Sequence, residues 1–186
     1  LTNVALALEK DPSIASEIRV LWLGSNFPDS GEYNLVNDTS AVNPVIESEV
    51  PFEIAVVRYN RSSGTSAVQT FLPEVREVMP GLGPQVSEPV TGRHGEEHST
   101  FGDYSVSLFE HVGEHARALY DVAAVALVKN PDWAVRKNVG PYRLEDGEWV
   151  EQESGDDVVI WELFYTSMII EDFFETLRDP EPAVSE

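Results

Sequence analysis

Residues 23–38 read LGSNFPDSGEYNLVND and follow the apolar run Ile18-Arg19-Val20-Leu21-Trp22-Leu23. The run predicts a buried strand. Gly24 ends it, and Ser25, Pro28, Asp29, Ser30 and Gly31 mark a long polar loop. Asn26, Glu32 and Asn34 then fall just beyond the carboxyl end of a strand, the edge where open α/β sheets bind ligands. Amides and carboxylates together donate and accept hydrogen bonds, which suits a ligand rich in hydroxyls. An ordinary loop in which Asn and Asp serve turns accounts for the same residues equally well.

Outward from this stretch, Asp38 reads as the cap of a short helix through Val45 and Ile46, with Pro44 expected to shorten or kink it. Residues 52–59, FEIAVVRY, read as a second core strand. A strand–helix–strand unit implies a right-handed parallel crossover. Upstream, Thr2 reads as the cap of a helix with the stripe Val4, Ala5, Ala7 and Leu8, closed by Asp11-Pro12. Downstream the pattern gives a short strand near 67–71, a helix over 73–79 stopped by Pro80-Gly81, and a long surface loop over 83–102. Asp103 then reads as the cap of a helix carrying Val106, Leu108, Phe109 and Val112, and a second helix covers 119–128. Asp146-Gly147 between YRLE and EWVE is a hairpin signal. A strand over 158–164, a helix over 167–177 and an acidic, frayed tail over 179–186 complete the reading. The fold class is α/β: an open, mostly parallel sheet with flanking helices, plus a small β-hairpin near the carboxyl end.

The chain has 186 residues, 42% of them hydrophobic, enough for one domain with a real core. Its net charge of −21 argues against nucleic-acid backbones and anionic membranes as partners. No cysteine is present, which excludes disulfides and thiolate chemistry and leaves the redox compartment open. No apolar run approaches the ~20 residues of a membrane span. There is no Walker loop, no dinucleotide fingerprint and no internal repeat.

Three segments carry a resemblance. Trp22-Leu23-Gly24-Ser25, then Asn26, Glu32-Tyr33-Asn34 and Asp38, resemble the strand end and E-F-N-x-x-x-D segment of the inosine-uridine preferring nucleoside hydrolase family. Residues 1–8, LTNVALAL, are similar to that family's G-P-L-T-N-x-A helix start, and residues 120–126, YDVAAVA, to its H-D-P-x-x-V-A segment. The three occur in the family's order over about two-thirds of the chain.

The resemblance implies an N-glycosidase that hydrolyses the bond between ribose and base with a calcium-bound water. It implies Asn26 and Glu32 near the ribose 5′-hydroxyl, Asn34 and Asp121 on the 2′/3′ side, and Asp121 also on Ca2+. It further implies a nucleoside or related ribosyl molecule as substrate, and a homo-oligomer. Tyr120 stands where the family has a histidine that assists departure of the base; a tyrosine is the weaker acid, so base preference is expected to differ. The family's amino-terminal Asp-rich motif does not occur in this chain, which opens within a predicted helix without Met or signal peptide. Residues 1–178 are therefore expected to form the carboxyl-terminal portion of such a domain, working with an amino-terminal half or second chain that carries the Asp cluster. Any export signal would precede residue 1, and the compartment is open. The other reading is a non-catalytic sugar- or nucleoside-binding subunit. Glu32→Ala and Asp121→Ala are each expected to abolish turnover with little loss of fold.

Two further constellations stand apart. His111, Glu114 and His115 fit H-x-x-E-H, a zinc-peptidase pattern, on a helix that Gly113 weakens and without an evident third ligand. His94, Glu96, Glu97 and His98 sit together in the 83–102 segment, as an exposed loop or a flap over the site.

Overall fold

The computed structural model describes residues 1–180. In chain order the elements are α1 (Thr2–Lys10), β1 (Val20–Gly24), α2 (Tyr33–Asn37), α3 (Val42–Ile46), β2 (Phe52–Val56), β3 (Gln69–Phe71), α4 (Leu72–Val78), β4 (Gln85–Thr91), β5 (Glu97–Thr100), α5 (Phe101–Val112), β6 (Ala116–Ala118), α6 (Tyr120–Lys129), β7 (Val135–Asn138), β8 (Tyr142–Glu145), β9 (Glu148–Glu151), β10 (Val159–Glu162) and α7 (Thr166–Arg178). They fall into two compact units, Leu1–Ala67 with Tyr120–Tyr165, and Val68–Leu119 with the segment from Thr166 on.

The first unit is built on a four-stranded sheet in the order β1-β2-β10-β7. β2 runs parallel to both β1 and β10, and β7 closes one edge antiparallel to β10. Buried parallel strands are apolar along their whole length, and β2 with its continuation Ile54-Ala55-Val56-Val57 is almost fully buried. Trp22, Phe27, Leu35, Val42, Ile54, Val56, Leu144, Trp149, Val158 and Ile160 form the main core, and Leu8, Ala15, Val45 and Val50 a smaller one beneath α1 and α3. The one acid inside β2, Glu53, is paired. It accepts from Arg19 at 2.7 Å and from the Trp161 indole at 2.5 Å, with Arg136 at 3.6 Å.

The second unit holds two antiparallel pairs, β3–β6 and β4–β5, with α4, α5 and α7. Its apolar side chains Val68, Val75, Met79, Phe109, Ile169, Ile170, Phe174 and Leu177 are buried. The Gly83 amide donates to the Leu177 carbonyl at 2.8 Å, which fixes the end of α7 to the chain after α4.

Several expectations are corrected. The 83–102 segment is the β4–β5 hairpin, although every side chain of β4 is exposed. Thr100, not Asp103, caps α5: its Oγ1 accepts from the Asp103 amide at 3.1 Å and donates to the Asp103 carboxylate at 2.7 Å. Leu1 occupies the cap position of α1, and Thr2 instead donates its hydroxyl to Asp38. Asp38 holds Ser40 and Thr2 through its side chain, accepting both hydroxyls. The helix expected there is a single 3-10 turn, Thr39–Ala41, followed by the five residues of α3 around Pro44. β2 stops three residues short of Tyr59 because Arg58 takes a positive φ of 49°. β6 and β7 carry no pattern that distinguishes them in the sequence. Of the predicted tail, residues 181–186 lie outside the described residues.

Candidate functional site

The carboxyl ends of the three parallel strands share one feature. Ser25 follows β1 with φ 64°, Arg58 follows β2 with φ 49°, and Leu163 follows β10 with φ 53°. A non-glycine residue in this region costs on the order of 1–3 kcal/mol and persists only where its surroundings over-determine it. Here they do. The Ser25 carbonyl accepts from the Val57 amide at 2.8 Å, the Arg58 Nε donates to the Phe27 carbonyl at 2.8 Å, and the Leu163 amide donates to the Ser63 carbonyl at 3.1 Å. Beneath them Arg58 and Lys137 converge on the buried carboxylate of Glu162. Burial raises that carboxyl, but the hydrogen bonds and charges of Lys137 and Arg58 outweigh it and hold it below the usual value. The rim is thus a rigid platform of three strained turns.

β1 is an edge strand, and α2 and α6 both pack against it. The Val20 amide donates to the Pro51 carbonyl at 2.8 Å, so by alternation Leu21 and Leu23 turn their backbone groups away from β2. At that free edge the Asn34 amide nitrogen donates to the Leu23 carbonyl at 3.1 Å. Beside it opens a hollow of about 410 Å³ lined by Leu1, Thr2, Leu21, Trp22, Leu23, Asn34, Asn37, Asp38 and Asp121. Hydrogen bonds from Ser40 and Thr2 hold the Asp38 carboxyl below its ordinary value. Asp121, in the first turn of α6, is exposed.

Of the four residues expected to line one hollow, Asn34 and Asp121 do so and Asn26 and Glu32 do not. Glu32 is 2% exposed, and its Oε2 accepts from the Ser25 amide at 2.8 Å and the Leu35 amide at 3.0 Å, capping α2. These two contacts argue against the expectation that Glu32→Ala spares the fold. Asn26 donates to the Ser30 carbonyl at 3.3 Å and accepts from the Tyr59 amide at 3.2 Å, closing its own loop around the cis Phe27-Pro28 bond. Both residues shape the rim from inside.

Tyr120 is half-buried at the start of α6. Its ring meets that of Tyr59 edge-on, with centroids 6.2 Å apart and an interplanar angle of 87°. Tyr59 is the residue the sequence reading passed over. Its amide binds Asn26, its hydroxyl lies 3.5 Å from Glu32 Oε1 and 3.4 Å from the Tyr33 amide, and its ring touches Tyr120. Burial, helped by the Glu32 carboxylate and opposed by the Tyr33 amide, raises its phenol above the ordinary value, so it stays protonated. The reasoning that singled out Asn26, a polar side chain just past a strand's carboxyl end, applies equally to Tyr59 after FEIAVVR.

The zinc-peptidase spacing does not survive folding. α5 ends at Val112 because Gly113 takes the left-handed conformation, φ 72°, that caps a helix carboxyl end. Glu114 and His115 therefore lie outside the helix. His111 instead stacks on His94, centroids 3.9 Å apart and 4° from parallel, with its Nε2 3.3 Å from Glu96. Among the described residues no group of three or more His, Asp or Glu side chains is arranged to hold a metal ion.

Comparison with protein-family profiles and with curated proteins finds no match. Solved structures do match. An inosine-uridine preferring nucleoside hydrolase from Bacillus anthracis superposes on 96% of this chain with a TM-score of 0.62 at 19% identity. A plant nucleoside hydrolase covers the same 96% with a TM-score of 0.67 at 16% identity. The chain has a nucleoside hydrolase-like fold. It spans 57% and 59% of the length of these two structures. At such identities the nucleoside hydrolase-like assignment is one of architecture: a parallel-dominated open sheet, flanking helices and small hairpins. Among the described residues no helix is long and apolar enough to cross a membrane.

Proposed function

We propose that this chain forms the pentose-holding side of an N-glycosidase that hydrolyses the ribose–base bond of a nucleoside or related ribosyl molecule. The observation that carries the reading is that Asn34 and Asp121 line one hollow beside the free edge of β1 in a nucleoside hydrolase-like fold. In this reading Asn34 and Asp121 grip the 2′/3′ hydroxyls, where an amide and a carboxylate provide both donors and acceptors. Glu32 and Asn26 hold the loop that leads into α2, the helix that carries Asn34, with the 5′ side of the ribose against it. Tyr120, backed by Tyr59, stands on the leaving-group side as a hydrogen-bond donor. The transition state has oxocarbenium character, so contacts on the sugar that strengthen there matter most.

A calcium ion belongs to this reading, but the residues of this chain do not by themselves fit one. A hard cation takes six to eight oxygens, and Asp121 offers one carboxylate with no metal-holding cluster around it among the described residues. Asp121 is accordingly proposed as a contributor, with the other ligands on an Asp-rich amino-terminal half or second chain. The same observation favours a second reading, a non-catalytic subunit that binds a sugar or nucleoside. A homo-oligomer remains part of the first reading.

The deciding experiment measures release of reducing sugar from inosine and uridine by the purified protein, with its intact mass and any co-purifying Asp-rich chain established and with calcium present or chelated. Asp121→Asn is expected to lower kcat/KM by about 2–4 kcal/mol in barrier, roughly 30- to 1,000-fold, while leaving the unfolding transition in place. Full activity in Asp121→Asn refutes its role. Absence of turnover, with nucleoside binding retained and no thermal response to calcium, selects the binding subunit.

A further inference from the structure

The β8–β9 hairpin has only four residues in each strand, and a two-stranded hairpin is marginal in water unless it is packed against something. Two of its inward residues, Leu144 and Trp149, belong to the main core of the first unit. The Asn43 side chain acts as a rung of ladder toward it, donating to the Leu144 carbonyl at 2.8 Å and accepting from the Leu144 amide at 2.9 Å. Arg143 pairs with Glu47 on the same side. The hairpin is therefore held firmly at its first strand, and what it presents from its second strand is fixed in space.

What it presents is an indole nitrogen. Trp149 Nε1 donates to Ser25 Oγ at 2.8 Å, across 124 residues of chain. Ser25 is fully buried and in the left-handed conformation. Its Oγ also accepts from the Phe27 amide at 2.9 Å, and its own amide donates to Glu32 Oε2 at 2.8 Å. Glu32 in turn receives the Leu35 amide and starts α2, the helix that bears Asn34. Phe27 packs edge-on between Trp149 and Tyr142, with centroids at 5.5 and 4.9 Å. Ser, unlike Gly, does not enter the left-handed region without cost, so its side chain needs a partner that holds it there.

We propose that Trp149 is a positioning residue for the pentose-holding rim: through Ser25 it sets the turn after β1, and through that turn Glu32 and the start of α2. The inference rests on the proposed function for what the rim holds, but the relay itself is a feature of this chain. A hairpin distant in sequence thereby fixes the geometry of a binding loop it does not belong to, as a supporting shell does for a preorganised site.

The test replaces the indole of Trp149 with benzothiophene, which keeps the ring shape and substitutes sulfur for the N–H, with Trp149→Phe as a second variant. Amide hydrogen exchange at Ser25, Phe27 and Leu35 is read against Ile54 and Ile160 in the core, together with the dissociation constant for inosine. Loss of one hydrogen bond is expected to speed exchange at the three rim amides about tenfold, leave the two core amides unchanged and weaken inosine about tenfold. Unchanged exchange at Ser25 and Leu35 overturns the proposal. Faster exchange with inosine affinity intact also overturns it, because Trp149 would then serve the fold alone. Should the unmodified protein bind no inosine at all, the proposed function falls, and the exchange arm still decides whether Trp149 governs Ser25 and Glu32.

Discussion

Replacing Glu32 separates a structural carboxylate from a merely ligand-facing one. Its Oε2 receives two backbone amides, from Ser25 and Leu35, and both residues are fully buried. Glu32→Ala leaves those two donors without a partner where water has little access. An orphaned buried donor costs about 1–3 kcal/mol. Two of them, offset by relief of a buried carboxylate's desolvation, give about 2–5 kcal/mol, a large fraction of the ~5–15 kcal/mol that stabilises a typical domain. Glu32→Gln keeps an acceptor oxygen in place and is expected to cost only about 1 kcal/mol, the difference between a charged and a neutral acceptor. Urea unfolding followed by the fluorescence of the four tryptophans, checked by circular dichroism for a coincident transition, measures both. If the two variants are equally stable, or if Glu32→Ala loses less than about 0.5 kcal/mol, the capping role is wrong and the side chain is free to face a ligand.

Two further outcomes follow from groups around the same rim. Glu162 is held below its ordinary value of 4.5 by Lys137 and Arg58, so it contributes stability above that value and loses it as pH falls through the lower folded value. The urea midpoint of the unmodified protein should therefore drop in acid more steeply than that of Glu162→Gln; parallel curves from pH 7 to 3 would exclude the ion-pair network as the cause. Tyr59 is expected to ionise later than its ordinary value of 10 in an alkaline ultraviolet titration, because burial and Glu32 both oppose its phenolate. Tyr59→Phe should remove that late-titrating component, and a titration curve that changes only in amplitude would contradict it.

The sequence fell short wherever the direction of a side chain decides its role. Glu32 was legible as a polar residue past a strand end, and so was Asn34. Nothing local distinguishes the one whose carboxylate turns inward to two amides from the one whose amide turns to an open edge. The H-x-x-E-H spacing failed for a local reason, since one glycine in the left-handed conformation ended the helix that the spacing requires. The 83–102 segment was read as loop because β4 is exposed on both faces and so carries no period-2 alternation of apolar residues.

By itself the sequence determined the α/β class, the order of the main elements and the Asp146-Gly147 hairpin. These depend on short-range facts: apolar runs and turn residues. Only the tertiary structure decided which rim residues face a hollow, that Tyr59 joins Asn26, Glu32 and Tyr120, and that Trp149 reaches Ser25. The reason is that a buried hydrogen bond is chosen by whichever donor and acceptor the packed core brings within 3 Å, and that choice is written in the assembled elements rather than in any one stretch.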